Sequence, residues 1–311
     1  MIISASRRTD IPAFFGEWFM RRIEEGYFTS VNPFNPRQTR TVSLLAKDVD
    51  AIVFWTKNPR PFLRRLDDLD AKGYNYYFLF TLNDYPKVFE PGMGPVDKRI
   101  NTFTEISRKI GRQRVIWRYD PVVISSVTPV EYHLDKISHI AHRLREYTDR
   151  MIISFLTFYG KVKKRLENVT VEHGIEFQNI LEQPFREDLY RLSRNIKEIA
   201  LHSGLEVQSC AQPACVKEAG ISPGSCIDAS LIRRLFAIEK VFPKDNRQRK
   251  ECLCAESVDV GAYNTCSFFC AYCYANLSET AVKNNLAKHC IESPSLIEAH
   301  DRPGLDAANV E

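Results

Sequence analysis

The 311-residue sequence lacks a long apolar run, an excess of charge of one sign, and any cysteine before Cys210. No segment approaches the run of about 18 apolar residues that a membrane span needs. The 43 basic and 39 acidic side chains leave a net charge of only +4, so bulk charge does not indicate a nucleic-acid-binding protein. The N-terminal MIISASRRTDIP runs from apolar to basic, the reverse of a secretory signal. We therefore expect a cytoplasmic protein that does not span a membrane.

Cysteine is confined to the last third of the chain, and its distribution is the most informative feature of the sequence. The nine positions are Cys210, Cys215, Cys226, Cys252, Cys254, Cys266, Cys270, Cys273 and Cys290. An odd number of thiols without a secretory signal argues against a disulfide framework. Clustered thiols in a reducing compartment instead indicate bound metal.

The first 210 residues alternate between apolar runs and amphipathic stretches with apolar residues three and four apart. The predicted strands are Ile2–Ser6, Ala51–Trp55, Tyr76–Leu82, Arg114–Tyr119, Met151–Thr157 and Leu205–Ser209, with weaker candidates at Phe28–Val31 and Thr41–Leu44. The predicted helices are Phe14–Glu25, Pro61–Lys72, Asp97–Ile110, Val130–Glu146 and Phe185–Ser203. Strands that alternate with helices predict right-handed βαβ units around a buried parallel sheet, and hence the α/β class.

This alternation is compatible with a (β/α) barrel, complete or partial, or with a doubly wound sheet. We expect the barrel, because polar residues follow four of the strands and barrel active sites form at the carboxyl ends of strands. One integrated domain is expected, with residues 1–210 as the barrel scaffold. Residues 211–292 would be a cysteine-rich, cluster-binding segment that completes the barrel mouth, and residues 293–311 a polar tail. Residues 161–184 break the alternation and predict an insertion or lid.

Polar side chains that follow predicted strands are the candidates for a catalytic cavity. They are Arg7, Arg8, Asp10, Lys57, Asn83, Arg118 and Asp120. A guanidinium in such a position can bind a carboxylate or a phosphate through two hydrogen bonds. The alternative for each residue is a solvated loop position or, for Arg7 and Arg8, a structural ion pair with Asp10. Because such polar residues follow four different strands, we expect them to line a cavity rather than to be solvated loop residues.

The segment DVGAYNTCSFFCAYCYAN, residues 259–276, spaces three thiols as C-x3-C-x2-C. They are Cys266, Cys270 and Cys273, with Tyr272 directly before the third. Three thiolates on one short loop can each hold one corner of a 4Fe–4S cluster. The fourth iron then has no cysteine from the motif, and an open metal position distinguishes a catalytic site from a closed structural one.

This motif resembles the signature of the radical S-adenosylmethionine (SAM) superfamily, in which an aromatic residue precedes the third cysteine. The resemblance implies that the three thiols carry a 4Fe–4S cluster whose open iron binds SAM, with Tyr272 near the adenine. It also implies reductive cleavage of SAM to methionine and a 5′-deoxyadenosyl radical, with a reductase, flavodoxin or ferredoxin as electron donor. Asn83, Tyr85, Arg118 and Asp120 would contact SAM or substrate, although the Gly-Gly-Glu-like stretch that often holds SAM is absent.

Most of the chain resembles the bacterial family DUF1848, which is described as having a C-terminal cysteine cluster similar to that of radical SAM proteins. The matching stretches are SRRTDIPAFFGEWF, NPFNPRQ, DAIVFWTKNP, WRYDP, SCIDASL, QRKECLC and DVGAYNTC…CAYCYAN. Radical SAM proteins usually carry the cysteines after the first barrel strand, whereas here they lie near the C-terminus. A permuted barrel would reconcile the two, with Val258–Tyr263 as the usual first strand, Ala275–Lys288 as the usual first helix and Ile2–Ser6 as the next strand.

The remaining thiols form a second candidate set, which consists of Cys210, Cys226, Cys252 and Cys254. Four thiolates can close a second 4Fe–4S cluster or a tetrahedral zinc site. Cys210 is preferred to Cys215 because it directly follows a predicted strand. Cys215 and Cys290 would then be ordinary thiols.

The sequence therefore predicts a radical-SAM-like iron–sulfur enzyme whose substrate is an unidentified small molecule or nucleic acid. The basic runs at residues 161–165 and 244–250 are compatible with phosphate contacts or with plain solvated surface. One rival interpretation is a non-catalytic binding module, stabilised by zinc or an iron–sulfur cluster and associated with nucleic acid. Another is an iron–sulfur redox carrier for which SAM is irrelevant.

Overall fold

The structure, a computed structural model, describes residues 1–212 and 214–298, without the side chains of residues 36, 214 and 215. The strands are β1 Ile2–Ala5, β2 Tyr27–Asn32, β3 Asn35–Ser43, β4 Ala51–Thr56, β5 Tyr76–Thr81, β6 Val115–Val122, β7 Ile124–Ser125, β8 Arg150–Phe155, β9 Phe177–Gln178, β10 Glu206–Cys210, β11 Ser222–Gly224 and β12 Val258–Asp259. The α-helices are α1 Ile11–Phe14, α2 Gly16–Glu25, α3 Leu66–Ala71, α4 Val96–Ile110, α5 Val130–Leu144, α6 Gly160–His173, α7 Arg186–His202, α8 Ala214–Glu218, α9 Ala229–Phe236 and α10 Glu279–Leu286. Short 3-10 helices occupy Arg60–Arg65, Arg112–Arg114 and Gln183–Phe185.

Eight strands form one sheet in the order β11-β10-β8-β6-β5-β4-β1-β12, and every neighbouring pair is parallel. The predicted α/β class is confirmed, and all six main predicted strands are present. All six residues of β5 are buried, as expected for a parallel strand that is covered on both faces. The two edge strands of this sheet are β11 and β12.

Alternate residues of these strands face two different apolar cores. Ile3, Ile52 and Phe54 pack in the larger core with the amphipathic helices that cover one face of the sheet. Ile2 and Val53, at the intervening positions, pack in a second core on the other face. The cysteine-bearing segment of residues 226–255, which includes α9, fills this second core. It therefore lies on the sheet face opposite the larger core.

The short strand β12 joins the C-terminal part of the chain to its beginning. Val258 lies opposite Ile3 in parallel register, and Asp259 lies opposite Ser4. A Cβ on Gly261 would lie 2.0 Å from Oγ of Ser6, so only glycine allows β12 to leave the sheet this close to β1. Val258–Tyr263 therefore contributes a strand beside β1, although only two of its residues pair.

The two weaker strand candidates pair with each other as an antiparallel hairpin, β2–β3, outside the parallel sheet. The stretch NPFNPRQ, residues 32–38, forms its turn and the start of its second strand. Phe34 at the turn is 92% exposed. This family-like stretch therefore lies in an exposed hairpin, apart from the residues that line the main cavity.

Residues 161–184 contain α6, β9 and a 3-10 helix inserted between β8 and α7. The buried face of α6 packs on the loop that carries the C-x3-C-x2-C motif, through Val162, Leu166 and Val169. Within the predicted polar tail, Leu296 is buried and Trp18 Nε1 donates to the carbonyl of Ser293 at 2.9 Å. Residues 299–311 lie outside the described residues. In the described part of the chain, every helix is too short or too polar to cross a membrane.

Candidate functional site

A cavity of about 370 Å³ opens at the carboxyl ends of the parallel strands. Parallel strands bring these ends to one edge of the sheet, so residues far apart in the sequence meet there. The predicted site residues that line the cavity are Arg7, Arg8, Asp10, Lys57, Arg118, Asp120, Cys210, Cys252, Cys254, Cys266, Cys270, Tyr272 and Cys273. Two predicted site residues, Asn83 and Cys226, are fully buried and contact residues of its wall instead.

The three motif thiols lie on a compact loop between β12 and α10. Cys270 is 6% exposed, and Cys266 and Cys273 are half-buried. The side-chain amide of Asn276 donates to the carbonyl of Cys266 at 2.7 Å. The backbone N–H of Ala275 donates to Sγ of Cys273 at 3.3 Å. These contacts close the loop on itself.

The segment that follows β5 packs directly against the motif loop. The backbone N–H of Ala271 donates to the carbonyl of Phe89 at 2.9 Å, and that of Gly92 donates to the carbonyl of Phe268 at 3.3 Å. A Cβ on Gly92 would lie 2.9 Å from the backbone of Phe268. Gly92 therefore permits an approach between two main chains that a larger residue would prevent.

Arg165, on α6, holds the motif loop through its main chain. Its Nη1 donates to the carbonyls of Cys273 at 2.6 Å, Ala271 at 3.2 Å and Cys270 at 3.4 Å. Its Nη2 donates to the carbonyl of Asn276 at 2.6 Å. One rigid guanidinium therefore contacts four carbonyls of the loop. The last residue of the basic run 161–165 thus contacts the motif rather than solvent alone.

A buried polar network lies beside the motif. Nζ of Lys57 lies 2.7 Å from Oε1 of Glu90 and 3.0 Å from the hydroxyl of Tyr272. That hydroxyl donates to the same Glu90 oxygen, and Nδ2 of Asn83 donates to the hydroxyl at 3.4 Å. Nη1 of Arg99 lies 3.9 Å from Oε2 of Glu90. The single carboxylate of Glu90, 1% exposed, therefore compensates two buried cations.

Burial raises the pKa of two motif thiols, Cys270 and Cys266. It raises the pKa of Cys270 to about 12, and the nearby Lys57 ammonium opposes that rise. Burial also raises the pKa of Cys266 well above the usual thiol range. Such thiols hold their protons until a bound metal ion ionises them. Metal uptake by this loop would therefore release protons.

Two arginines and a tryptophan form the opposite part of the cavity. The guanidinium carbons of Arg7 and Arg118 lie 5.5 and 4.7 Å from the ring centroid of Trp55. Arg118 forms an ion pair with Asp120, whose other oxygen accepts from the hydroxyl of Ser154. Burial lowers the pKa of Arg118, but the charges of Asp120, Cys226 and Cys210 together outweigh that effect and raise the pKa overall. This wall therefore presents fixed charges of both signs.

Asp10 organises the cavity floor through main-chain contacts. Its carboxylate accepts from the backbone N–H of Lys57 at 2.6 Å and of Ala13 at 3.0 Å, which caps α1. Burial raises the pKa of Asp10 to about 7. Arg8 instead lies over the ring of Tyr263, with its guanidinium carbon 5.1 Å from the centroid. Through its hydrogen bond with the backbone N–H of Lys57, Asp10 holds the start of the loop after β4 in position.

Three thiols of the second set, Cys210, Cys252 and Cys254, line the same cavity as Arg7 and Arg118. Sγ of Cys226 lies 3.6 Å from Sγ of Cys210. Hydrogen bonds with Cys226 and then Cys252 lower the pKa of Cys254 to about 2. Sγ of Cys254 also accepts from the backbone N–H of Ile227 at 3.4 Å. Among the described residues, no three His, Cys, Asp or Glu side chains are already arranged to hold one metal ion.

Four residues of the site were not identified from the sequence as site residues. They are Trp55, Glu90, Arg165 and Asp259. The carboxylate of Asp259 accepts from the hydroxyls of Ser4 at 3.0 Å and Ser6 at 2.6 Å, and from the backbone N–H of Arg7 at 2.8 Å. Asp259 opens the segment DVGAYNTCSFFCAYCYAN, and Trp55 lies in the stretch DAIVFWTKNP. No motif marks Glu90, and Arg165 stands out only as the end of the basic run 161–165.

The chain was compared with protein families and with curated proteins. No curated protein matches it. A family described as "Domain of unknown function (DUF1848)" matches residues 2–275, and this range contains both thiol sets and every predicted strand-end residue. The match covers most of the 311 residues. The chain therefore belongs to the DUF1848 family.

Proposed function

We propose that this DUF1848 protein is a radical-SAM-like iron–sulfur enzyme. The observation that carries the proposal is the shared cavity: Cys266, Cys270 and Cys273 line it from one loop, opposite Arg118 and Asp120. An enzyme needs its metal centre and its polar substrate contacts in one enclosed space. A purely structural metal site has no such requirement.

The residues of the loop fit a 4Fe–4S cluster with one open iron. Three thiols come from one compact loop, and each contributes to the cavity lining. Burial raises the pKa of Cys270, and the Lys57 ammonium opposes that rise, which reduces the cost of forming the thiolate that binds iron. A 4Fe–4S cluster with bound SAM would supply the electron that cleaves SAM into methionine and a 5′-deoxyadenosyl radical.

The protein's own residues would position and shield this chemistry. Arg165 fixes the loop, while the network of Lys57, Glu90 and Tyr272 fills the space behind it and excludes water. Arg118 and Asp120 offer hydrogen bonds to polar groups of SAM or of the substrate. The fixed charges suit either a small polar molecule or a nucleotide as the substrate.

For the fold, we propose a permuted, partial radical-SAM-like (β/α) barrel. Support comes from β12, which lies beside β1 and leads into the motif loop, and from α10, which follows that loop. We also propose a cytoplasmic location, with a reductase, flavodoxin or ferredoxin as electron donor. The eight described cysteines have free thiols, as is usual in a reducing compartment.

The test is an electron paramagnetic resonance (EPR) spectrum of anaerobically purified, reconstituted, dithionite-reduced protein, recorded with and without SAM. We expect a 4Fe–4S signal that SAM perturbs, together with accumulation of 5′-deoxyadenosine. A cluster that ignores SAM would favour a redox carrier, and zinc without iron would favour a metal-stabilised binding module. Either result would overturn the proposal.

A matched pair of variants localises the activity. Cys270→Ala removes one motif thiol, and we expect loss of 5′-deoxyadenosine formation while the far-ultraviolet circular dichroism spectrum is retained. Cys290→Ala removes an exposed thiol outside both sets and should change neither. Equal 5′-deoxyadenosine formation by the two variants would contradict the assignment of Cys270.

A further inference from the structure

Four thiols outside the motif are brought together from distant parts of the chain. Cys210 ends β10, Cys226 precedes α9, and Cys252 and Cys254 follow α9. Sγ of Cys210 and Sγ of Cys226 are in contact at 3.6 Å. Three of the four are buried, in the second core, on the sheet face opposite the larger core. No local motif spacing produces this convergence, so the tertiary fold creates it.

Buried hydrogen-bond donors without partners surround these thiols. In the described part of the chain, Nη2 of Arg7, Nε of Arg118 and Nε1 of Trp55 are buried and unpartnered. Arg7 interacts electrostatically with Cys254 and Cys226, and Arg118 with Cys226 and Cys210. A buried donor without a partner destabilises the folded protein. Three such groups beside four thiols indicate a missing acceptor with negative charge.

A thiolate-bound metal centre supplies that acceptor. Zinc with four thiolates, or a four-iron cluster with four thiolates, carries a net charge of about −2. Metal-bound sulfur accepts hydrogen bonds from neighbouring N–H groups, which tune such centres. The guanidinium groups of Arg7 and Arg118, which line the cavity together with Cys210, Cys252 and Cys254, supply two positive charges. The charges and the donors match such a centre.

We propose that Cys210, Cys226, Cys252 and Cys254 bind a second metal centre, separate from the motif loop. The shared chemistry is four-thiolate coordination, by either one zinc ion or one 4Fe–4S cluster. Four protein ligands leave no open position, so this centre does not bind SAM. Three of its four ligands, Cys210, Cys252 and Cys254, line the same cavity as the motif thiols. There a cluster would pass electrons, whereas a zinc ion would hold β10 to the loops flanking α9.

The test measures metal in a variant without the motif thiols. Full-length Cys266→Ala/Cys270→Ala/Cys273→Ala protein is purified anaerobically, and its iron and zinc are quantified by mass spectrometry. We expect retention of about four iron atoms or about one zinc ion per chain. Adding Cys226→Ser should remove that metal, and adding Cys290→Ser should not. A triple variant without bound metal would overturn the proposal.

A second measurement does not depend on how a Cys226 variant folds. X-ray absorption at the metal edge of the triple variant should show only sulfur neighbours at about 2.3 Å. Iron–iron scattering would identify the 4Fe–4S cluster. An absorption edge of zinc without metal–metal scattering would identify the single zinc ion. Nitrogen or oxygen ligands would overturn four-thiolate coordination. Because the variant lacks the motif, these results are independent of whether the native protein cleaves SAM.

Discussion

Arg165 donates to the main-chain carbonyl of Cys273 at 2.6 Å, and this contact joins the inserted helix α6 to the loop that carries the motif thiols. Three further carbonyls of the loop accept from the same guanidinium. The geometry of the thiols therefore depends on a residue about 100 positions earlier in the chain.

Replacing Arg165 tests this dependence. Arg165→Met removes all four contacts, and we expect roughly 2 to 4 kcal/mol less stability and less than half of the parent's bound iron. Arg165→Lys retains the charge but not the planar fork, so it should give an intermediate iron content. Lys164→Met, on the exposed side of α6, is the matched control. Equal iron contents in Arg165→Met and Lys164→Met would show that the contact is dispensable.

Glu90→Gln should destabilise the protein strongly. The change leaves Lys57 and Arg99 as buried cations without a carboxylate, which costs roughly 3 to 5 kcal/mol. Adding Lys57→Met should recover part of the loss, because one of the uncompensated charges is then gone. The measurement is urea denaturation of the two variants and the parent. Glu105→Gln, in an exposed pair with Arg60, should cost less than about 1 kcal/mol.

Asp259→Asn should loosen the attachment of β12. The carboxylate accepts from four groups, namely the hydroxyls of Ser4 and Ser6 and the backbone N–H groups of Arg7 and Gly261. Replacing it should cost on the order of 3 kcal/mol and speed hydrogen exchange in residues 258–276. The exposed Glu256→Gln provides the comparison. Unchanged exchange in this segment would mean that β12 is held by other contacts.

His133 should make stability depend on pH. Burial lowers its pKa to about 4, and the ring bonds the hydroxyl of Tyr119 and the carbonyl of Val123, both at 2.9 Å. The unfolded chain, with a histidine pKa of about 6.5, binds the proton more readily. His133 therefore contributes fully above about pH 6.5, and its contribution falls as the pH drops towards 4.

The size of this effect can be measured by urea denaturation at pH 7 and pH 5. We expect the parent to lose about 2 kcal/mol over this interval through His133. His133→Gln should lower stability at pH 7 but flatten the dependence on pH. His142→Gln, at an exposed position, should leave the dependence intact. An unchanged slope in His133→Gln would show that another group titrates.

Much of the scaffold was predictable from the sequence because its signals are local. Buried parallel strands such as β4 and β5 appear in the sequence as apolar runs. Six of the seven polar residues predicted at strand ends line one cavity, and Asn83 is the exception. Arg165 and Glu90 were not predictable in the same way. Arg165 contacts backbone carbonyls, which carry no side-chain signature, and Glu90 contacts cations that only the fold brings near.

The pairing of β1 with β12 sets the order in which the protein can be built. The side chains of Ser4 and Asp259 meet across 255 positions. At a synthesis rate of about 5 to 20 residues per second, roughly 13 to 50 s separate the two residues on the ribosome. During that time one edge of β1 has no paired strand, and the motif loop, which follows β12 in the chain, has not been synthesised. Under the proposed function, metal loading of the motif therefore follows the synthesis of the last strand of the sheet.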